Sequence, residues 1–182
     1  MFRHVLPALA ALSLIATASA SAQKDPMVGG SAMYPSKDII DNAVHSADHT
    51  TLVAAVKAGG LVETLKGTGP FTVFAPTNEA FAALPAGTVD NLLKPENKAT
   101  LDKVLTYHVV AGKYDSKMIE AMIKKGNGTA MLKTVEGGSL WFSTMGGKIM
   151  VKDAKGGMAT VTIADVFQSN GVIMVVNKVL MP

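Results

Sequence analysis

The spacing of the apolar residues changes at Gly126, and this change restricts the chain to few folds. Before Gly126, apolar residues recur every three to four positions, as Leu101, Val104 and Leu105 do, which is typical of one face of a helix. After Gly126 they alternate with polar residues, and pairs of glycines separate the short runs. Such alternation is typical of strands joined by tight turns. A helical part followed by hairpins predicts one domain of the α+β class.

The elements predicted from these patterns fall into two groups. Helices are predicted at 38–47, from Asp48 as N-cap to Gly59, at 61–66, from Thr77 as N-cap to 84, from Thr88 as N-cap to 93, from Pro95 through His108, and at 116–125. Strands are predicted at 71–75, 130–135, 139–144, 148–152, 159–164 and 172–180. Because positions 172–176 are all apolar, this last strand is expected to be central and covered on both faces.

Residues 1–22 have the order of a secretory signal peptide. A short basic head precedes the apolar stretch 5–18, and two small-residue A-x-A sites follow it. We expect cleavage after Ala22; the alternative is an uncleaved anchor helix, which a proline and the shortness of the stretch disfavour. Residues 23–35 are rich in Gly, Ser and Pro and predict a linker or loosely tied arm. Residues 36–182 then form a single domain.

Charge and composition exclude several classes of protein. The chain has no Cys, and therefore no disulfide, thiolate metal site or thiol nucleophile. Arg3 is its only arginine, so the chain after the signal peptide carries 16 Lys against 14 Asp and Glu. Because nucleic-acid-binding proteins depend on guanidinium groups, specific binding of nucleic acid is not expected. No apolar run approaches the roughly 20 residues that span a bilayer, so no membrane span is expected either.

The candidate metal-binding residues do not form a complete site. His45 and His49 have the i, i+4 spacing of metal ligands, but no third donor lies near them, and Asp48 is expected to break the helix between them. Asn127 begins a sequon for N-glycosylation. We assign no catalytic, cofactor-binding or metal-binding residue. Several methionines suit either soft copper ligation or ordinary packing: Met118, Met122, Met145, Met150 and Met158.

His108 lies on the apolar face of its predicted helix, beside Tyr107. A histidine there serves as a base, as a ligand or as a buried residue that satisfies a hydrogen-bonding partner. No serine elbow and no carboxylate paired by spacing accompanies it, which favours the buried role. Tyr107 is expected to point in a different direction and to reach the surface.

Three segments resemble the signature motifs of the fasciclin (FAS1) domain family. Residues 71–81, with the sequence FTVFAPTNEAF, resemble its first box. Residues 107–110, YHVV, resemble its central Tyr-His motif, and residues 170–182, NGVIMVVNKVLMP, resemble its second box. Order and spacing agree as well, and the resemblance covers about 36–182. Met174 departs from the pattern, since relatives usually have His there, and any role of that His is not carried over.

The resemblance implies a β-sandwich-like wedge with several α-helices packed around it. It also implies a non-enzymatic, secreted or periplasmic module for adhesion, which binds a cell-surface or extracellular-matrix macromolecule and needs no cofactor. The alternative it offers is a carrier of an apolar ligand such as a carotenoid or lipid. The resemblance also implies that Tyr107 contacts the partner. The other motif residues are expected to be structural: Phe71, Phe74, Pro76, Thr77, Asn78, Phe81, His108, Asn170, Gly171, Val172 and Met174.

Overall fold

The computed structural model describes residues 25–182, so the predicted signal peptide and its cleavage site lie outside the described residues. No helix in this range is long and apolar enough to cross a membrane. The strands are β1 (Met27–Val28), β2 (Ser31–Ala32), β3 (Phe71–Pro76), β4 (Val109–Ala111), β5 (Ala130–Lys133), β6 (Ser139–Met145), β7 (Lys148–Lys152), β8 (Met158–Gln168) and β9 (Gly171–Val176). The helices are α1 (Ile39–Ala43), α2 (Thr50–Gly59), α3 (Val62–Lys66), α4 (Asn78–Ala82), α5 (Thr88–Leu92), α6 (Lys98–Tyr107) and α7 (Ser116–Lys125).

Seven of the strands form one sheet in the order β4-β3-β9-β8-β7-β6-β5. Strands β3 and β9 run parallel, with Phe74 opposite Met174, whereas all other neighbours are antiparallel. A single bridge between Val110 and Thr134 brings the two ends of the sheet together. Helices before Gly126 and hairpins after it confirm the predicted α+β class.

Strands β3 and β9 divide the interior into two hydrophobic cores. Alternate residues such as Val73 and Ile173 pack under helices α1 to α6, in what we call the helical core. Their neighbours Phe74 and Met174 face the opposite way and pack with α7 and the inner faces of β5 to β8, in what we call the sheet core. Every residue of β9 is buried, so the prediction of a strand covered on both faces is confirmed.

Several helix ends follow the predicted capping chemistry. The Thr77 hydroxyl accepts the backbone N–H of Ala80 at 3.2 Å, which satisfies one of the free donors at the start of α4. Gly60 ends α2 in the left-handed conformation, with φ of 72°, where a side chain would be strained. Helix α7 has the predicted bounds, and its last turn carries two lysines that favour the negative end of the helix dipole.

Two of the predicted caps are wrong. Asp48 lies inside a 3-10 turn, Ala47–His49, and no side chain from the preceding residues caps α2. The side chain that meets the start of α2 comes from Asn78, which lies far along the chain. Thr88 is likewise the first residue of α5 and makes no cap bond. Short polar residues favour caps on average, but tertiary contacts decide which one is used.

The expectation of a loosely tied arm at 23–35 is wrong for its described part. Strands β1 and β2 form a small antiparallel hairpin, with Met27 paired to Ala32. Val28 and Met33 are 4% and 1% exposed and belong to the helical core. Two-residue strands carry no detectable periodicity, so the composition of this segment indicated only its turns. Packing against the domain therefore begins at the hairpin and not at residue 36.

Candidate functional site

Tyr107, the predicted partner contact, does not reach the surface. It is 1% exposed, at the C-terminal end of α6. Its hydroxyl donates to the carbonyl of Ser139 at 2.7 Å and accepts the backbone N–H of Ala154 at 2.9 Å. Burial raises the pKa of the phenol above its ordinary value. The expected exposure is therefore a wrong prediction, because the loop after β7 closes over the ring from 47 residues away in sequence.

His108 is buried beside it and makes two hydrogen bonds to the backbone. Its Nε2 accepts the N–H of Leu180 at 2.9 Å, so the ring proton is on Nδ1, which donates to the carbonyl of Val104 at 2.7 Å. Burial lowers the pKa of His108 to about 4, so the ring is neutral near pH 7. With both nitrogens engaged, the ring has no free atom for a ligand or a substrate.

Asp153 continues this network, and the sequence analysis did not single it out. The residue is 4% exposed, and its carboxylate accepts N–H groups from Lys155 at 3.0 Å, Gly157 at 2.7 Å and Met181 at 3.0 Å. In the sequence, Asp153 is followed three and four residues later by glycines, a pattern that is typical of a turn, and this pattern could have indicated its position. Together, His108 and Asp153 hold the last residues of the chain against the sheet.

In the first box, the side chains hold the start of α2. The Asn78 carbonyl oxygen accepts the N–H of Thr51 at 3.0 Å, and its amide donates to the carbonyl of Ala47 at 2.8 Å. Phe74 is fully buried, and its ring centroid lies 5.4 Å from that of Phe142 in the sheet core. The remaining aromatic and proline residues of the box are buried or half-buried: Phe71, Pro76 and Phe81.

In the second box, Asn170 ties the sheet to the helices. Its side-chain oxygen accepts the N–H of Ile39 at 3.1 Å, and its amide donates to the carbonyls of Leu65 at 2.7 Å and Gly67 at 2.9 Å. Gly171 follows, where an added Cβ would lie 2.1 Å from the carbonyl oxygen of Phe71. Only glycine allows the two backbones to approach so closely.

The rest of the second box lies in the sheet core. Val172 and Met174 are fully buried. Met174 packs in apolar surroundings with Phe74 and Phe142, and a flexible thioether fills such a gap without needing a hydrogen bond. The place where relatives usually have His is therefore an interior position in this chain.

The two histidines with ligand-like spacing are not arranged as a pair of ligands. His49 is 3% exposed and its Nδ1 lies 2.8 Å from the hydroxyl of Ser46, whereas His45 is exposed. Burial lowers the pKa of His49. Among the described residues no three His, Cys, Asp or Glu side chains converge on a point where they would hold a metal ion. Asn127, the sequon residue, lies exposed in the turn after α7.

Another surface is open: the side of strands β5 to β8 that points away from the sheet core. Leu140 and Phe142 point inward and are fully buried, so their neighbours in β6 point outward. The methionines at 131 and 145 are 52% and 65% exposed. We call this surface the outer sheet face; its side chains are Met131, Lys133, Ser139, Trp141, Ser143, Met145, Lys148, Met150, Lys152, Met158, Thr160 and Thr162.

Comparison with known proteins identifies the domain to which these elements belong. The sequence model of the fasciclin domain family matches residues 47–182 of this chain. Among curated proteins, Protein sll1483 of Synechocystis sp. is 47% identical over 160 residues, which cover 88% of this chain and 82% of that protein. Immunogenic protein MPB70 of Mycobacterium bovis is 35% identical over 145 residues, covering 77% of this chain and 66% of that protein.

Longer proteins contain a similar region as one part of their length. Transforming growth factor-beta-induced protein ig-h3 of Sus scrofa is 39% identical over 131 residues, which cover 72% of this chain and 17% of that protein. A solved FAS1 domain pair from the insect cell adhesion molecule fasciclin I superposes with a TM-score of 0.70 at 16% identity, over 80% of this chain and 51% of that chain. The fold, the order of the signature boxes and the match over residues 47–182 together establish that this chain belongs to the fasciclin domain family.

Proposed function

We propose that this chain is a non-enzymatic adhesion or interaction module that binds a macromolecular partner at the cell envelope or outside the cell. The observation that carries the proposal is the outer sheet face, where large apolar side chains such as Met131 stand in solvent on a rigid sheet. The similarity to a solved domain pair from a cell adhesion molecule supports it.

The chemistry of the buried network supports a role without catalysis. Tyr107, His108 and Asp153 are the titratable side chains of this network, and their hydrogen bonds go to backbone groups. A general base needs a free lone pair within reach of a substrate, and the His108 ring offers none. These residues hold the turn after β7 and the last residues of the chain in place.

Tyr107 contributes to partner binding in this proposal through the surface that it supports. Its hydroxyl donates a hydrogen bond to the carbonyl of Ser139. Ser139 is the first residue of β6 and lies two residues before Trp141 on the outer sheet face. A change at Tyr107 would therefore disturb a contact surface without being part of it. This replaces the direct contact that the family resemblance implied.

The proposal is tested by capturing partners from envelope extracts of the native source on the immobilised protein. Wild type is expected to capture a macromolecule, Tyr107→Ala to lose it, and Tyr107→Phe, which keeps the ring but not the hydroxyl, to reduce it. His45→Ala changes an exposed residue elsewhere and serves as the control. Circular dichroism establishes that each variant is folded. Wild-type protein that captures no macromolecule would contradict the proposal.

Secretion or residence in the periplasm is part of the proposal, and the order of residues 1–22, which is that of a secretory signal peptide, supports it. The mature protein is expected to begin at Gln23. Mass spectrometry of material from the native source decides this, and a membrane-bound chain with an intact Met1 would contradict it.

The second candidate function, transport of an apolar ligand, is favoured by one cavity. A space of about 60 Å³ lies in the helical core between the β1–β2 hairpin and the helices, lined by side chains that include Met33, Ile40 and Phe71. A dry cavity of about 150 Å³ accommodates benzene, so this one is too small for a carotenoid unless the hairpin moves. An absorption spectrum and an intact mass of native protein test this function, and a stoichiometric pigment or lipid would favour it over adhesion.

A further inference from the structure

The outer sheet face carries an ordered row of side chains across four strands. Met131 pairs with Trp141, Trp141 pairs with Lys152, and Lys152 pairs with Met158. Directly paired residues point to the same side of a sheet, about 5 Å apart. The row therefore places a half-buried indole between a thioether and an ammonium group, over a length of about 15 Å.

The charge of this face has one sign. Lys133, Lys148 and Lys152 are all exposed on it. Between residues 130 and 164 there are two acidic residues, and neither points out of the face. Asp153 is buried in its turn, and Glu136 accepts the N–H of Gly138 at 3.0 Å within its own turn. A ligand for this face is therefore anionic.

We propose that the outer sheet face binds an acidic polysaccharide built of uronic acid residues. Each such residue has an apolar face of C–H bonds and one carboxylate. The electron-rich face of the Trp141 indole attracts the C–H bonds of the sugar ring, and Lys152 neutralises the carboxylate as a point charge. Lys133, paired with Ser139, lies in the next row on one side, and Lys148, paired with Met145, lies two rows away on the other side. These two ammonium groups meet other carboxylates along the polymer. This inference rests on the proposed function and names its partner.

The geometry favours this ligand over an acidic peptide. A peptide that adds a strand binds at a sheet edge and not on a sheet face. Just after β5, moreover, the edge is closed, because the N–H of Val135 donates to the carbonyl of Val109 at 2.8 Å and Val110 bridges to Thr134. A peptide bound without strand addition needs a groove, whereas this face is a sheet surface. A linear polymer that presents apolar sugar faces together with carboxylates fits a sheet face on which an indole and two thioethers share a row with an ammonium group.

The ligand is tested with the full chain and two oligosaccharides of equal length, an oligogalacturonate of about ten sugars and a neutral maltooligosaccharide. Trp141 is the only tryptophan in the chain, so intrinsic tryptophan fluorescence reports on this face alone. At low salt, the oligogalacturonate is expected to give a saturable change in fluorescence, and the neutral oligosaccharide none. Binding is expected to weaken as salt is added, since the contacts are exposed charges.

Paired variants locate the site. Lys133→Gln and Lys152→Gln are each expected to weaken binding about two- to fivefold, and the double variant about tenfold. Lys57→Gln with Lys103→Gln removes the same charge from exposed positions on α2 and α6 and is expected to leave the affinity unchanged. Equal losses in both double variants would overturn the assignment, because they would indicate only net charge.

Two further results would also overturn the inference. One is a fluorescence change with vesicles of phosphatidylglycerol but none with oligogalacturonate, which would make the face a membrane contact. The other is the absence of any change with oligogalacturonate in a protein that is folded by circular dichroism. If envelope extracts still yield a captured protein in that case, adhesion stands and only its ligand is wrong.

Discussion

The signature boxes and the outer sheet face differ in what their side chains do. Among the box residues, Phe74 is buried against Phe142 in the sheet core, and Asn170 is buried with its side chain hydrogen-bonded to distant backbone groups. The outer sheet face contains Trp141 and three exposed lysines, with few bonds to the rest of the protein. The comparison indicates that the residues by which the family is recognised specify the fold, whereas the surface available to a partner carries no signature. Substitutions in the two regions test this division of roles.

Phe74→Ala is expected to give the largest loss of stability. The ring is fully buried against Phe142, and its removal would leave a cavity in the sheet core. We expect the free energy of unfolding to fall by about 3 to 5 kcal/mol, measured by urea denaturation monitored by circular dichroism. A loss below about 1 kcal/mol would show that this core is loosely packed.

Asn170→Ala is expected to give the next largest loss of stability, since it removes three hydrogen bonds that join the turn before β9 to α1 and to the end of α3. Buried donors and acceptors left without partners should cost about 2 to 3 kcal/mol. The matched control is Asn127→Ala, which changes an exposed asparagine in a turn. Equal stability of the two variants would contradict the structural role of Asn170.

His108 is expected to make stability depend on pH. Its pKa is about 4 in the folded protein and near 6.5 when unfolded, so the unfolded state binds more protons between these values. The free energy of unfolding therefore falls as the pH drops from about 6.5 to about 4, by about 3 kcal/mol from this group. His49, with its pKa lowered in the same direction, adds to the effect.

The contribution of His108 is isolated by comparing wild type with His108→Gln over this range of pH. Glutamine retains an acceptor for the N–H of Leu180 but cannot be protonated, so part of the pH dependence should disappear. His108→Ala at neutral pH should cost about 1 to 3 kcal/mol. Parallel curves for wild type and His108→Gln would mean that the ring is accessible to water.

Met131→Ala, on the outer sheet face, is expected to change the free energy of unfolding by less than about 0.5 kcal/mol. The side chain is half exposed and lies outside both cores. The same urea denaturation measures it beside Phe74→Ala. A loss comparable to that of a core residue would show that the face is covered. It would contradict the difference between the signature boxes and the outer sheet face.

The sequence predicts best where local chemistry decides the structure. Helix α7 and strand β7 have the predicted bounds, because amphipathic spacing and glycine turns define them without distant help. Strand β9 begins one residue early and ends at Val176, four residues short of its prediction, and β8 runs four residues beyond Ala164 through two irregularities in its pairing. Chain segments far apart in sequence meet at these ends, and periodicity contains no information about them.

Contacts between segments far apart in sequence also limited the prediction of the candidate site. The position of Tyr107 at the end of an amphipathic helix did not reveal that the turn after β7 would cover its ring. Asp153 escaped notice because its partners, among them Met181, are backbone groups near the end of the chain. The outer sheet face could be predicted only in part, as alternating residues of strands. Its single sign of charge appears once the register places the lysines around Trp141.

Trp141 lies on an accessible, positively charged surface, whereas signature residues such as Phe74, His108 and Asn170 lie inside. Quenching of the fluorescence of this single tryptophan tests it directly, with iodide and caesium as quenchers of opposite charge. At low salt, with the quenching by each ion expressed relative to its quenching of free N-acetyltryptophanamide, the folded wild-type protein should be quenched more strongly by iodide than by caesium, because exposed lysines concentrate the anion. Stronger quenching by caesium, or no quenching by either ion, would contradict the account.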